Sequence, residues 1–224
     1  MSDIFQQFHS LIDFLSHVLS SNYEIALLDL RSGINCITKL ANGHVTQREA
    51  GAPITDLALQ IIQSGEYKTK DYLVNYTGMS SGNRVLRSSS FFIKDGDELL
   101  GMLCINIDMG NYIKLCEQIM ALSGTSVSSV ELIPKSEDTE PGLPAENFSN
   151  DLSASIENII MHHSKQLSIV PSRLNKQERI NFIKDLNKTG LFLMKGSIPA
   201  VASHLNCSEA TVYRYLSNIT RAEV

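Results

Sequence analysis

Ile4, Phe5, Phe8, Leu11, Ile12, Leu15, Val18 and Leu19 recur at helical spacing, with mostly polar residues between them. That period lays one apolar stripe along a helix over residues 3–19. The pattern then changes. "YEIALLDL" (23–30) and "CITKLAN" (36–42) are short runs of β-formers flanking "RSGIN", which predicts a hairpin. "ITDLALQIIQSG" (54–65) returns to helical spacing, with Thr55 as N-cap and Gly65 as the stop. "YLVNYTG" (72–78), "VLRSSSFFIKD" (85–95) and "LLGMLCINID" (99–108) read as three strands, the last two joined at "DGD" (95–97). A helix is expected over 111–122.

This order predicts an α+β fold with one antiparallel sheet and helices on one face. Two strands, helical segments and a three-strand meander are also the order of a PAS domain, so residues 1–132 are expected to form a PAS-like sensor domain. Periodicity then stops in "IPKSEDTEPGLPAENFSN", and residues 133–150 are expected to be a flexible linker. Residues 151–170 resume as a connecting and dimerisation helix with Asp151 at its cap.

Residues 172–224 are expected to form a small all-α module. "NKQERINFIKDLNKTG" (175–190) predicts a helix capped by Asn175, with Ile180, Ile183 and Leu186 inside and Gly190 as its stop. "GSIPAVASHLN" (196–206) predicts a second, with Ser197 as cap and Pro199 in the first turn. Ser208 caps a third, with Val212, Tyr215 or Leu216, and Ile219 inward. Small Ala202, turn-permissive Asn206 and apolar Val212 are spaced as in a helix-turn-helix, although many such units carry glycine at the turn.

If so, the third helix enters the major groove of double-stranded DNA. Glu209, Ala210, Thr211, Tyr213, Arg214, Ser217 and Asn218 make its outward face, with Tyr213 outward and Tyr215 inward. Arg214 suits guanine, and Thr211 and Ala210 suit a thymine methyl. Ser208 and Tyr213 suit phosphates, as do Lys195 and Ser197 at the start of the preceding helix. The charge distribution agrees. From Ser172 onward eight basic residues face four acidic ones, so the tail is +4 while residues 1–171 carry −9 of the net −5.

Polar residues inside the strands are candidates for a ligand pocket. Arg87 shares a face of its strand with Val85, Ser89, Phe91 and Ile93, and a charge aimed at a core needs a partner. Asp56, Asp108 or a ligand carboxylate would serve. Asn106 and Asp108 are expected to line the same cavity, with Asn42, His44, Asn75 and Tyr76 at its rim.

No nucleophile–base pair, Gly-rich phosphate loop or HExxH motif occurs, so no catalytic residue is expected. His162 and His163 point about 100° apart on a helix and do not chelate one metal well, so no metal or cofactor is expected. Cys36, Cys104, Cys116 and Cys207 show no ligand spacing and are read as free thiols of a cytoplasmic protein. The N-terminus lacks a secretory pattern, and the apolar run near 99–105 is far below the roughly 20 residues that span a bilayer.

"NGHVTQREAGAPITDLAL" (42–59), "NYTG" with "RVLRSSSFFI" (75–93) and "GMLCINID" (101–108) resemble the YheO-like PAS domain. "LNKTGLFLMKGSIPAVASHLNCSEATVYRYL" (186–216) resembles the helix-turn-helix that accompanies it in bacterial regulators of the YheO/DauR type. Gln47 departs from the glycine usual at its place. The resemblance implies a cytoplasmic transcriptional regulator, a repressor in some relatives. A small effector, polar or amino-acid-like, is expected in the PAS core, shifting how a homodimer spaces its DNA-binding units. The alternative is a PAS-like domain that serves as a protein-interaction scaffold without a ligand.

Overall fold

The structure is a computed structural model that describes residues 4–31, 36–124, 146–148, 152–165, 167 and 170–222, with side chains as far as Ile219. It divides into two compact units: residues 1–54 with 67–150, and residues 55–66 with 151–224.

In the first unit, α1 (Ile4–Val18) precedes β1 (Tyr23–Asp29) and β2 (Cys36–Ala41). A meander follows: β3 (Tyr72–Met79), β4 (Val85–Asp95) and β5 (Glu98–Asp108). Then comes α3 (Gly110–Leu122). The sheet runs β2-β1-β5-β4-β3, with all these neighbours antiparallel. β6 (Glu146–Asn147) adds to the free edge, parallel to β3. Residues 146–148 therefore correct the far end of the expected linker. Glu146 and Phe148 are buried, and Phe148 packs with Val45 and Leu86. The rest of that span, residues 32–35 of the expected hairpin connection and the expected cap Asp151 lie outside the described residues.

The core on one face of the sheet explains the α1 stripe. Phe5 and Ile12 pack against Ile25, Leu27, Ile93 and Leu103, with Phe8 and Leu15 at the margin. Fully burying such a side chain is worth about 1.5–3 kcal/mol, so this contact holds α1 on the sheet. The approach is close at Gly101, where a Cβ would fall 2.3 Å from Leu28 O and 2.7 Å from the Phe5 ring.

The second unit gathers α2 (Asp56–Ser64), α4 (Leu152–Lys165), α5 (Lys176–Lys188), α6 (Ser197–His204) and α7 (Glu209–Ala222). α2 starts and stops where its sequence indicates. Thr55 Oγ1 accepts from Ala58 N, and Gly65 takes a left-handed φ of 71°. On α5, Asn175 and Glu178 form a reciprocal capping box. Phe182 is buried there with Ile183 and Leu186, whereas Ile180 is only half-buried. Gly190 meets two demands at once: φ is 75°, and a Cβ would fall 2.8 Å from Leu59 O.

α4 ends at Lys165, and Ile156, Ile159 and Ile160 are buried as it packs with α5 and α6. His204 Nε2 lies 2.7 Å from Glu157 Oε2, joining α6 to α4. The helix expected over 151–170 as a connecting and dimerisation element is described over Leu152–Lys165 and packs as a member of this unit.

Candidate nucleic-acid interface and the polar interior of the sheet

The turn between α6 and α7 is built by Ala202, Asn206 and Ser208. Ala202 and Val212 are buried, so the two helices come close. Asn206 adopts φ 49°, the left-handed conformation that its short polar side chain tolerates. Cys207 N donates to Ala202 O at 3.0 Å. Ser208 caps α7, its Oγ accepting from Thr211 N at 3.3 Å.

α7 then turns Val212, Tyr215 and Ile219 inward. Glu209, Ala210, Tyr213, Arg214, Ser217 and Asn218 stand exposed, and Thr211 is half-buried. Tyr213 is 58 % exposed and Tyr215 6 %, so the two tyrosines divide as the helical period requires. Lys195 is exposed beside the start of α6.

Ser197 is a correction. It is 1 % exposed and its Oγ has no hydrogen-bond partner among the described residues. The cap is Gly196 at φ 92°, so Ser197 is the first helical residue and turns into the unit. It is withdrawn from the phosphate contacts.

The expected ligand set does not come together. Arg87 pairs across the sheet with Ile107, which places it on the α1 face, whereas Ser88 pairs with Asn106 on the other. The two-residue period of β4 forces this separation. Asp108 binds Arg84 instead of Arg87: Arg84 Nη1 donates to Asp108 Oδ2 at 2.9 Å, and Nη2 donates to His44 O and Val45 O. Ser89 shares the Arg87 face and accepts from Asn75 N, where β3 bulges. Asn42 Nδ2 donates to Tyr23 O, and the His44 side chain is exposed. Asp56 accepts from Leu57 N in the first turn of α2.

Of that set, Tyr76 and Asn106 do reach the interior, and they meet residues that sequence reasoning missed. Glu24 is fully buried and accepts from Thr46 N (3.1 Å), Thr46 Oγ1 (2.6 Å) and Asn106 Nδ2 (3.0 Å). Burial nevertheless raises its carboxyl above the ordinary value, against the pull of those donors and of Arg48. Arg48, itself buried, donates to Pro53 O, and burial lowers its pKa against the attraction of Glu146 and Glu24. Tyr76 and Ser90 hydroxyls lie 2.8 Å apart, and Ser90 Oγ is 3.1 Å from Cys104 Sγ. Burial lifts the Tyr76 phenol well above its usual range and the Cys104 thiol to about 12.

Arg48 Nε, Ser88 Oγ and Asn106 Oδ1 have no hydrogen-bond partner among the described residues. One is a donor, one an acceptor and one either. These three polar atoms lie in or beside the buried cluster around Glu24 with hydrogen-bonding capacity unmet among the described residues. The signal was present in "YEIALL", where one carboxylate sits in an apolar strand, and in the alternation of Ser88 and Ser90. Among the described residues no cluster suits a metal ion, and no helix is long and apolar enough to cross a membrane.

Comparison with known proteins matches residues 1–124 to the YheO-like PAS domain and residues 155–217 to a helix-turn-helix domain. An uncharacterised protein of Haemophilus influenzae is 26 % identical, over 98 % of this chain and 93 % of its own length. The uncharacterised protein YheO of Escherichia coli K12 is 23 % identical, over 96 % of this chain and 84 % of its own. The transcriptional regulator DauR of Pseudomonas aeruginosa is 25 % identical, over 96 % of this chain and 93 % of its own.

Proposed function

The chain belongs to the YheO-like PAS family, and from that premise we propose that it is a DNA-binding transcriptional repressor whose PAS-like unit senses a small polar metabolite. The observation that carries this reading is α7. Its apolar residues close one side while Ala210, Tyr213, Arg214, Ser217 and Asn218 stay open on the other. Such a face suits the major groove, where small and polar side chains meet base edges. One relative that matches over nearly its whole length, DauR, carries the name transcriptional regulator.

Sensing is favoured over a ligand-free scaffold by the interior. A scaffold needs a filled apolar core, whereas here Arg48, Ser88 and Asn106 bring unpartnered polar atoms to one buried region. An amino-acid-like molecule carries both donors and acceptors for them.

We further propose a homodimer formed through α1 and α3. Ile4, Leu11, Phe14 and Val18 are exposed on α1. Tyr112, Leu115, Ile119 and Leu122 are exposed on α3 at the 3-4-3 spacing of a coiled-coil seam. Cys116 and Gln118 flank that seam without charge, so nothing there repels a second copy.

The test is electrophoretic retardation of fragments of the host genome by full-length protein, with mapping of the retained sites. Salt-sensitive retardation with a preferred sequence is expected. Failure to retard any fragment, with or without added metabolites, overturns the regulator reading. Sensing is tested by thermal shift, since a ligand at a hundred times its Kd adds about 2.7 kcal/mol.

A further inference from the structure

Beside α7 lies a groove of about 520 Å³ lined by Leu174, Lys176, Arg179, Arg214, Tyr215 and Asn218. Three of the six are cations and none is a carboxylate. The cations come from two elements, the first turn of α5 and the middle of α7.

Arg179 is held in place before any ligand arrives. Its Nε donates to Leu174 O at 2.9 Å and its Nη2 to Ser172 O at 3.2 Å. Carbonyls orient the guanidinium without neutralising its charge. Arg214 leans back, its guanidinium 5.6 Å from the centre of the Tyr215 ring. Lys176 is exposed at the start of α5. The only acid in that first turn, Glu178, is engaged with Asn175 N at 2.7 Å in the capping box. Positive charge is therefore concentrated along one flank of α7.

We infer that this groove binds consecutive backbone phosphates of duplex DNA, contacted separately by Lys176, Arg179 and Arg214 with Asn218 as a neutral donor. The inference rests on the reading of α7 as the DNA-contacting helix. It also moves Arg214 from the base edges to the backbone, leaving readout to Ala210, Tyr213 and Ser217. Backbone contacts fix register and carry no sequence information. A charge that neutralises one phosphate releases counterions and steepens the salt dependence of binding.

The experiment measures affinity of the full-length protein for a mixed-sequence duplex of about 30 base pairs between roughly 50 and 200 mM salt. Lys176→Ala and Arg214→Ala should each lower the slope of log K against log salt by about 0.9, so that this rise in salt weakens them about 3.5-fold less than wild type. Lys176→Arg should keep the wild-type slope. Lys188→Ala is the control, because Lys188 lies on the same helix outside the groove and pairs with Asp185. An unchanged slope in Lys176→Ala overturns the site, as does an equal loss in Lys188→Ala, which would make the effect one of net charge. If the wild type itself does not bind duplex, the reading of α7 fails first and takes the groove with it.

Discussion

Glu24 on β1 and Asn106 on β5 sit directly opposite one another, and the Asn106 amide donates to the Glu24 carboxylate at 3.0 Å. Two further donors come from Thr46. Burial outweighs all three, so the folded-state pKa of Glu24 lies above its unfolded value near 4.5. As pH rises past that value the unfolded chain ionises first. The contribution of Glu24 to stability is thus fullest below about 4.5 and declines as pH climbs through its folded-state pKa. Glu24→Gln should remove this decline, read from urea unfolding free energies across the same pH range. An identical profile in the variant would contradict the assignment.

Arg84 ties strand termini together at one end of the sheet, linking Asp108 to the carbonyls of His44 and Val45. Its side chain is about a third exposed, which screens the ion pair. Arg84→Met should still cost about 1–2 kcal/mol, because three acceptors lose their donor. A double-mutant cycle with Asp108→Asn separates the ion pair from the carbonyl bonds.

The turn into α7 is sensitive to side-chain shape. Asn206→Val should destabilise by about 1–2 kcal/mol, the cost of a branched residue in left-handed backbone. Ala202→Leu should cost about 1–3 kcal/mol by forcing α6 and α7 apart. Denaturant melts give both numbers, and DNA affinity should fall with the second variant more than with the first.

Cys104 should resist a thiol reagent near pH 8. Its thiol is buried and its pKa is pushed up to about 12, so almost no thiolate forms. Cys36, Cys116 and Cys207 are half-buried and should react first. Mass spectrometry of the labelled native protein reads the order, and early labelling of Cys104 would mean that the interior opens.

For the proposed dimer, Ile119→Glu combined with Leu122→Glu should give a monomer by light scattering with little change in melting temperature. Both side chains are exposed in the single chain, and Leu122 is 90 % so. A wild-type monomer at assay concentrations would dispose of the seam.

The periodic elements were legible because their signals are local. α1 announces itself in one stripe, and Thr55, Gly65 and Asn175 mark helix ends that the structure reproduces. Tyr213 and Tyr215 divided correctly because only the helical period is needed to place them. The buried polar cluster around Glu24 was not legible in the same way. Knowing that Arg87 and Ser89 share a face does not tell which face covers Glu24, since that depends on pairing between strands about eighty residues apart. Arg48 and Thr46 come from a loop without period, and Glu146 from a span whose composition reads as linker. Gln47, which stands where glycine is usual, adopts φ 65°, which accounts for glycine suiting that position.

The short helix α2 has an unusual membership. It is encoded between β2 and β3, yet it packs with α5 and the turn Leu191–Leu193. Leu57, Ala58, Leu59 and Ile61 are buried there. No single cut in the polypeptide can therefore separate two autonomous modules. A chimera that joined this N-terminal portion to an unrelated reader head would leave those four apolar residues without their native counterpart, so recombination between distant regulators must carry α2 and its docking surface together or rebuild one of them.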